Sequence, residues 1–198
     1  MDDRATLLSL IASHPLAALI TPDADDIALT YIPLLARFES DKLLLEGHIA
    51  RANDQWKHGA IRGVAAFQLA GHYISPTWYP SKQMDPRTVP TYDYVAIEAR
   101  GPIRFVHDEE WLHSFVRRLS ESQEPRVGGT WSVDDAPADY IASQINAIVG
   151  VELTVDSLIG TFKLNQNHPE ENVASVVASL AALDTMEATT LARFMNEA

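Results

Sequence analysis

YDYVAIEARGPIRFVH, residues 92–107, sets Val95, Ile97 and Ala99 against Tyr94, Glu98 and Arg100 on alternate sides of an extended chain. A period of two with unlike sides marks a strand that buries one face and shows the other to water, as antiparallel sheets do. Gly101 and Pro102 predict a kink or bulge in its middle.

Working outward, RGVAAFQLAGHYIS (62–75) reads as a long strand, and LAALITP (16–22), IALTYIPLL (27–35) and KLLLEGHI (42–49) are apolar runs of strand length between acidic or polar turns. They predict a meander of three strands. Before them, ATLLSLIASH (5–14) has a helical stripe with Asp2 or Asp3 as N-cap, and Pro15 stops it. ARANDQWKHG (50–59) predicts one or two helical turns ending on Gly59.

Downstream, DEEWLHSFVRRLSES (108–122) opens on acids and carries Arg117 and Arg118 near its end, which matches a helix dipole. APADYIASQINAIVG (136–150) predicts a helix capped by Asp135, with Pro137 in its first turn and Gly150 at its end. VELTVD (151–156) and LIGTFKLN (158–165) read as a hairpin-like pair. HPEENVASVVASLAAL (168–183) and residues 185–196 read as closing helices. Six or seven strands with inserted and C-terminal helices give an α+β fold whose antiparallel sheet closes into a small barrel. The expected organisation is a single domain, 1–198, with a helical appendage at about 168–198.

Composition narrows the function. There is no cysteine, which removes thiolate catalysis, disulfides and thiolate metal sites and fits a reducing, cytoplasmic setting. No apolar run of membrane-spanning length is present, so no membrane partner is expected. Acids outnumber bases 27 to 15, a formal charge of −12, and the bases are scattered. Duplex DNA needs a basic face, so direct DNA binding by the lone chain is disfavoured. The G-x-S-x-G, P-loop, G-x-G-x-x-G and H-E-x-x-H patterns are absent, and the seven histidines show no ligand spacing, so no metal site is expected. No catalytic residue stands out.

Polar groups concentrate in GHIARANDQW (47–56), HYISPTWYPSK (72–82) and VPTYDY (89–94), each at a strand end, where three segments can meet at one barrel rim. His48, Arg51, Asn53, Ser75, Lys82 and Thr91 suit a phosphate, Arg51 through its fork and Lys82 as a point charge. Trp78, Tyr79, Tyr92 and Tyr94 suit a flat ring. Together they outline FMN or pyridoxal phosphate. The plainer reading stays open: Trp56, Trp78 and Tyr79 as core plugs, and Arg51 in a salt bridge to Glu46 or Asp54.

HIARAN followed by QW, then ISPTWYPSK, VPTYDY, DDAPADYI, IVGVEL and GTFKLNQNHPEEN, in this order, resemble the PaiB family of FMN-binding negative transcriptional regulators, from about Leu16 to Val177. The resemblance implies a split β-barrel and a homodimer with cofactor at the subunit interface. It implies His48, the backbone of Ala50, Arg51 and Asn53 beside the FMN phosphate, and Ser75, Trp78 and Lys82 in the facing loop. Thr91 and Tyr94 would lie along the next strand, with Lys163 and Gln166 closing from the last. The chain departs from the family's V-P-T-W-N-Y in having Tyr92 and Asp93; a carboxylate near a phosphate repels it unless Asp93 faces away or pairs with a base such as Arg100. The activity implied is that of a regulatory or sensor protein; the alternative is a flavin-dependent oxidoreductase of the pyridoxamine-phosphate-oxidase-like group.

Overall fold

The computed structural model describes residues 3–23, 26–58 and 61–197. Eight strands and five helices follow in the order α1 (Arg4–Ser13), β1 (Leu16–Asp23), β2 (Asp26–Pro33), β3 (Leu35–Glu39), β4 (Lys42–Ala50), β5 (Ile61–Ile74), β6 (Thr91–Val106), α2 (Glu109–Gln123), α3 (Ala138–Asn146), β7 (Ile148–Thr154), β8 (Ser157–Lys163), α4 (Glu170–Ala181) and α5 (Met186–Glu197). The sheet order is β2-β1-β5-β6-β7-β4-β3, with β8 pairing β6, an open path as a split barrel requires. The chain divides into two compact units, Met1–Leu10 with Gln68–Ile97 and Ile159–Ala198, and Ile11–Phe67 with Glu98–Leu158.

Four expectations are corrected. The three-strand meander is four strands, because Pro33 has no N–H with which to continue the ladder and the amide of Leu34 turns to the carbonyl of Pro15, 2.9 Å away. A fresh strand, β3, then pairs antiparallel with β4 from Leu35↔Glu46 to Glu39↔Lys42. The helix over 136–150 ends at Asn146, and Ile148 and Gly150 belong to β7, which pairs with β4 at Ala50↔Ile148 and His48↔Gly150. Cross-strand pairing has overridden the helical spacing of the isoleucines. Asp135 does not cap α3; its carboxylate accepts the amide of Ser132 at 2.8 Å in a one-turn 3₁₀ segment. Finally, β8 pairs with β6 rather than with β7. The turn between β7 and β8 is pinned where the amide of Asp156 meets the carbonyl of Arg100 at 2.9 Å. Gly101 is required there, since a Cβ would lie 1.8 Å from the carbonyl oxygen of Thr154.

Other local expectations fit. Asp3 receives the amide of Thr6 at 3.3 Å and caps α1; the alternative cap, Asp2, and the helical stop at Gly59 lie outside the described residues. Asp108 caps α2 through the amide of Trp111 at 2.7 Å.

In the unit of Ile11–Phe67 and Glu98–Leu158, the core gathers Leu19, Leu45, Phe67, Ile103, Leu112 and Phe115. Glu46, wholly buried, accepts Nε of Arg37 at 2.7 Å and Nη1 of Arg118 at 2.6 Å, tying β3, β4 and α2 together. Glu152 extends the network to Arg104 at 2.9 Å. A buried carboxylate answered on both oxygens is tolerated, and the same charges left unanswered are not. Glu46→Ala is expected to lower unfolding stability by about 1–3 kcal/mol in urea melts, because Arg118 then loses its carboxylate partner while Arg37 keeps Glu39 and Glu152.

Candidate functional site

Four of the expected site residues stand at the corner where β4 ends. His48 is half-buried, its ring meets Phe115 edge-on at 5.7 Å, and its Nδ1 has no partner among the described residues. Burial pushes its pKa below the usual histidine value, which favours the neutral ring. Arg51 is committed to backbone: Nε donates to the carbonyl of Asn146 at 2.7 Å and Nη2 to that of Ile148 at 2.9 Å, while Nη1 lies 3.4 Å from Nδ1 of His107. Its carbonyl accepts the indole N–H of Trp56 at 2.9 Å. The expected ion pair of Arg51 with Glu46 or Asp54 is therefore replaced, for Glu46 is held by Arg37 and Arg118 and Asp54 by Lys57 at 2.6 Å. Asn53 donates to the hydroxyl of Thr30 at 2.7 Å and accepts the amide of Gln55 at 2.9 Å. The end of β4, the start of β7 and the Trp56 turn are thus locked by side chains that also look like ligand groups.

The other expected residues belong to the unit of Gln68–Ile97 and Ile159–Ala198. Ser75 caps a short 3₁₀ turn, accepting the amide of Thr77 at 3.3 Å. Trp78 stacks loosely on His72 at 6.3 Å, and buried Tyr79 stacks on His168 at 4.8 Å with ring planes 11° apart. The loop is pinned to α4, where Asn172 accepts the amide of Ser81 at 3.2 Å and donates to its hydroxyl at 2.8 Å. Lys163 donates to the Thr91 hydroxyl and to the carbonyl of Tyr92, the latter at 2.9 Å. Gln166 folds back on its own turn, accepting the amide of Leu164 at 2.9 Å and donating to the carbonyl of Phe162. Tyr94 is on the solvent face of β6.

In that unit a cavity of about 380 Å³ is lined by Tyr79, Arg87, Thr88, Val89, Thr91, Asp93, Lys163 and the turn Asn165–His168. Its volume lies in the ordinary range of ligand pockets, about 300–1,000 Å³. Asp93 is in the inward register of β6 with Val95, Ile97 and Ala99, and is 0% exposed. Neither of its oxygens has a hydrogen-bond partner among the described residues, nor do Thr88 Oγ1 and Asn165 Nδ2. Arg100, its expected partner, pairs instead with Glu98. Loss of water pushes the Asp93 pKa up to about 6, an effect moderated by the charge of Lys163. Burial likewise raises the Tyr79 phenol. A larger cavity of about 490 Å³ lies between α2 and α3, lined by Glu109, His113, Ile141 and Ile145, but among the described residues no buried polar atom there lacks a partner. Unanswered polar groups make the smaller cavity the better candidate.

Thr88 and Asn165 escaped the sequence reading as site residues. One signal was available: the period of two in β6 carries Asp93 inward with the apolar residues.

Comparison with known proteins finds that residues 1–157 match a family described as "Putative FMN-binding domain". An uncharacterised protein of Emericella nidulans is 29% identical over 96% of this chain and 91% of its own. "Protease synthase and sporulation protein PAI 2" of Bacillus subtilis is 23% identical over 96% of this chain and 89% of its own, in keeping with the PaiB resemblance. Among solved structures, the flavocytochrome Anf3 from Azotobacter vinelandii shares the fold, with a TM-score of 0.58 at 16% identity over 87% of this chain and 73% of that one.

The raised Asp93 pKa has a consequence for stability. The folded value, about 6, lies above the unfolded value, 3.8, so the protonated form is favoured by folding. Its benefit is complete below pH 4 and is lost as pH rises through 6. Asp93→Asn should therefore match the native protein near pH 4 and exceed it by up to about 3 kcal/mol at pH 7.5, read from urea unfolding at both pH values.

Proposed function

The chain belongs to this family of FMN-binding domains, and on that premise we propose that it is a flavin-binding regulatory or sensor protein of the PaiB kind. It represses gene expression through a partner rather than by strong direct contact with DNA. The observation that carries the reading is the family match over residues 1–157, which spans the β4 corner, the Trp78–Lys82 loop and β6. The formal charge of −12 supports the indirect route, since it opposes approach to a polyanion.

The residues suit a flavin unevenly. The side chain of Lys82 has no hydrogen bond or ion pair among the described residues, so its ammonium is available to a phosphate. Arg51 would need to release the carbonyls of Asn146 and Ile148, or offer only its outer edge, to grip one. The polar cavity at Asp93 suits a ring that presents both donors and acceptors. Bound flavin supplies hydride and electron exchange, for which the chain need contribute only position and electrostatics. We further propose one domain over the whole chain, a homodimer in the cytoplasm, and His48, Ala50, Arg51, Asn53, Ser75, Trp78, Lys82, Thr91, Tyr94, Lys163 and Gln166 as the cofactor-binding set. Among the described residues no helix is long and apolar enough to cross a membrane.

Titrating the purified protein with FMN should quench flavin fluorescence to a stoichiometric end point, and gel shifts at moderate salt should show no sequence-specific complex with DNA. Absence of quenching would defeat the flavin reading. Rapid bleaching of the bound flavin by NADH or NADPH would instead establish the oxidoreductase alternative.

A further inference from the structure

The hydrogen-bonding capacity that the fold leaves unused around the 380 Å³ cavity has a pattern. Most polar groups of its wall are already engaged. Arg87 holds Asp85 through Nε at 2.9 Å and Nη2 at 2.8 Å, both side-chain ends of Gln166 are spent on its own turn, and the Tyr79 hydroxyl donates to Oδ1 of Asn165 at 3.3 Å. Among its buried atoms, what remains is two acceptors, Oδ1 and Oδ2 of Asp93, the hydroxyl of Thr88, and one donor pair on Nδ2 of Asn165. Lys163 adds a donor, because an ammonium has three N–H bonds and Thr91 and Tyr92 take two.

This set discriminates among ligand chemistries. A phosphate would meet the buried Asp93 carboxylate at the wall, and charge repulsion would oppose it. A simple cation would answer Asp93 but face Lys163 and Arg87 and leave Nδ2 of Asn165 unanswered. A neutral edge that donates at one point and accepts on either side answers the Asp93 carboxylate, Asn165 Nδ2 and Lys163 together without burying a new charge. That edge is a cyclic imide, C=O, N–H, C=O.

We propose that the cavity reads the imide edge of a planar heterocycle, its ring N–H donating to Asp93 and its carbonyls accepting from Asn165 Nδ2 and Lys163 Nζ. The flavin ring carries this edge, so the inference deepens the flavin reading by naming the end of the cofactor that enters and makes Asp93 its specificity residue. A free pyrimidinedione carries the same edge, and the test separates the two sources.

Lumiflavin, which lacks the phosphate tail, its N3-methyl derivative and uracil are titrated, with FMN alongside, into the native protein and into Asp93→Leu and Asp93→Asn, by fluorescence for the flavins and by chemical-shift perturbation for uracil. Lumiflavin should bind the native protein, and N3-methylation or Asp93→Leu should each weaken it by roughly tenfold or more, as loss of a hydrogen bond to a charged group implies. Asp93→Asn keeps an acceptor and should stay within a few-fold. Asp93→Leu removes a desolvated carboxylate, and an unfolding midpoint no lower than native at pH 7.5 certifies its fold. Uracil binding without flavin binding upholds the inference and defeats the flavin reading. FMN and lumiflavin binding indifferent to both N3-methylation and Asp93→Leu upholds the flavin reading and overturns the inference. Failure of every probe at millimolar concentration overturns both.

Discussion

The alternation of β6 is the constraint from which the candidate site follows. A strand that buries every second residue gives no choice to the side chain in register with Val95, Ile97 and Ala99, and that side chain is Asp93. A one-residue shift would turn it to water but would expose the core with it. The carboxylate is therefore held out of solvent by the same period that makes the sheet, and among the described residues neither of its oxygens accepts a hydrogen bond from arginine or lysine, as those of Glu46 do from Arg37 and Arg118. The contrast between these two buried acids is informative: one is answered on both oxygens and serves the fold, the other lines a cavity with neither oxygen answered among the described residues.

The rest of the structure fixes the walls around this position. The loop that follows β5 is tied down by Asn172 on α4 and by the stacking of Tyr79 on His168, so it is a rigid wall despite its length. Asn165 adopts a left-handed backbone, φ 60°, in the turn between β8 and α4, a conformation asparagine accepts more readily than most residues, and this orients its amide toward Tyr79 and the cavity. In the other unit, Arg51 closes the corner of β4 and β7 by holding two carbonyls, which makes it a fold residue first.

Much of the architecture was legible because its signals are local. The period of two in β6, the acids before α2 and the proline before α4 each act within a turn or a strand, and each element appears where they place it. Ile148 and Gly150 were not legible: isoleucines at helical spacing look the same whether a helix continues or a strand claims them, and the pairing with β4 that decides it comes from about a hundred residues away. The partner of β8 was hidden for the same reason, since the contact of Thr154 and Asp156 with Arg100 and Gly101 is a crossing in space. Within the site, the charge of Asp93 could be read and its isolation could not, because only the fold shows that Arg100 is spent on Glu98.

The central claim is that Asp93 is a buried carboxyl group without a hydrogen-bond partner among the described residues, lining a cavity. It is tested most directly by following the side-chain carboxyl carbon of Asp93 in the ¹³C-labelled, ligand-free protein across a pH titration, with Asp93→Asn identifying the resonance. The account predicts a midpoint near 6, well above the ordinary aspartate value of 3.8. A midpoint at or below that ordinary value would show the group to be solvated or paired, and would contradict the account.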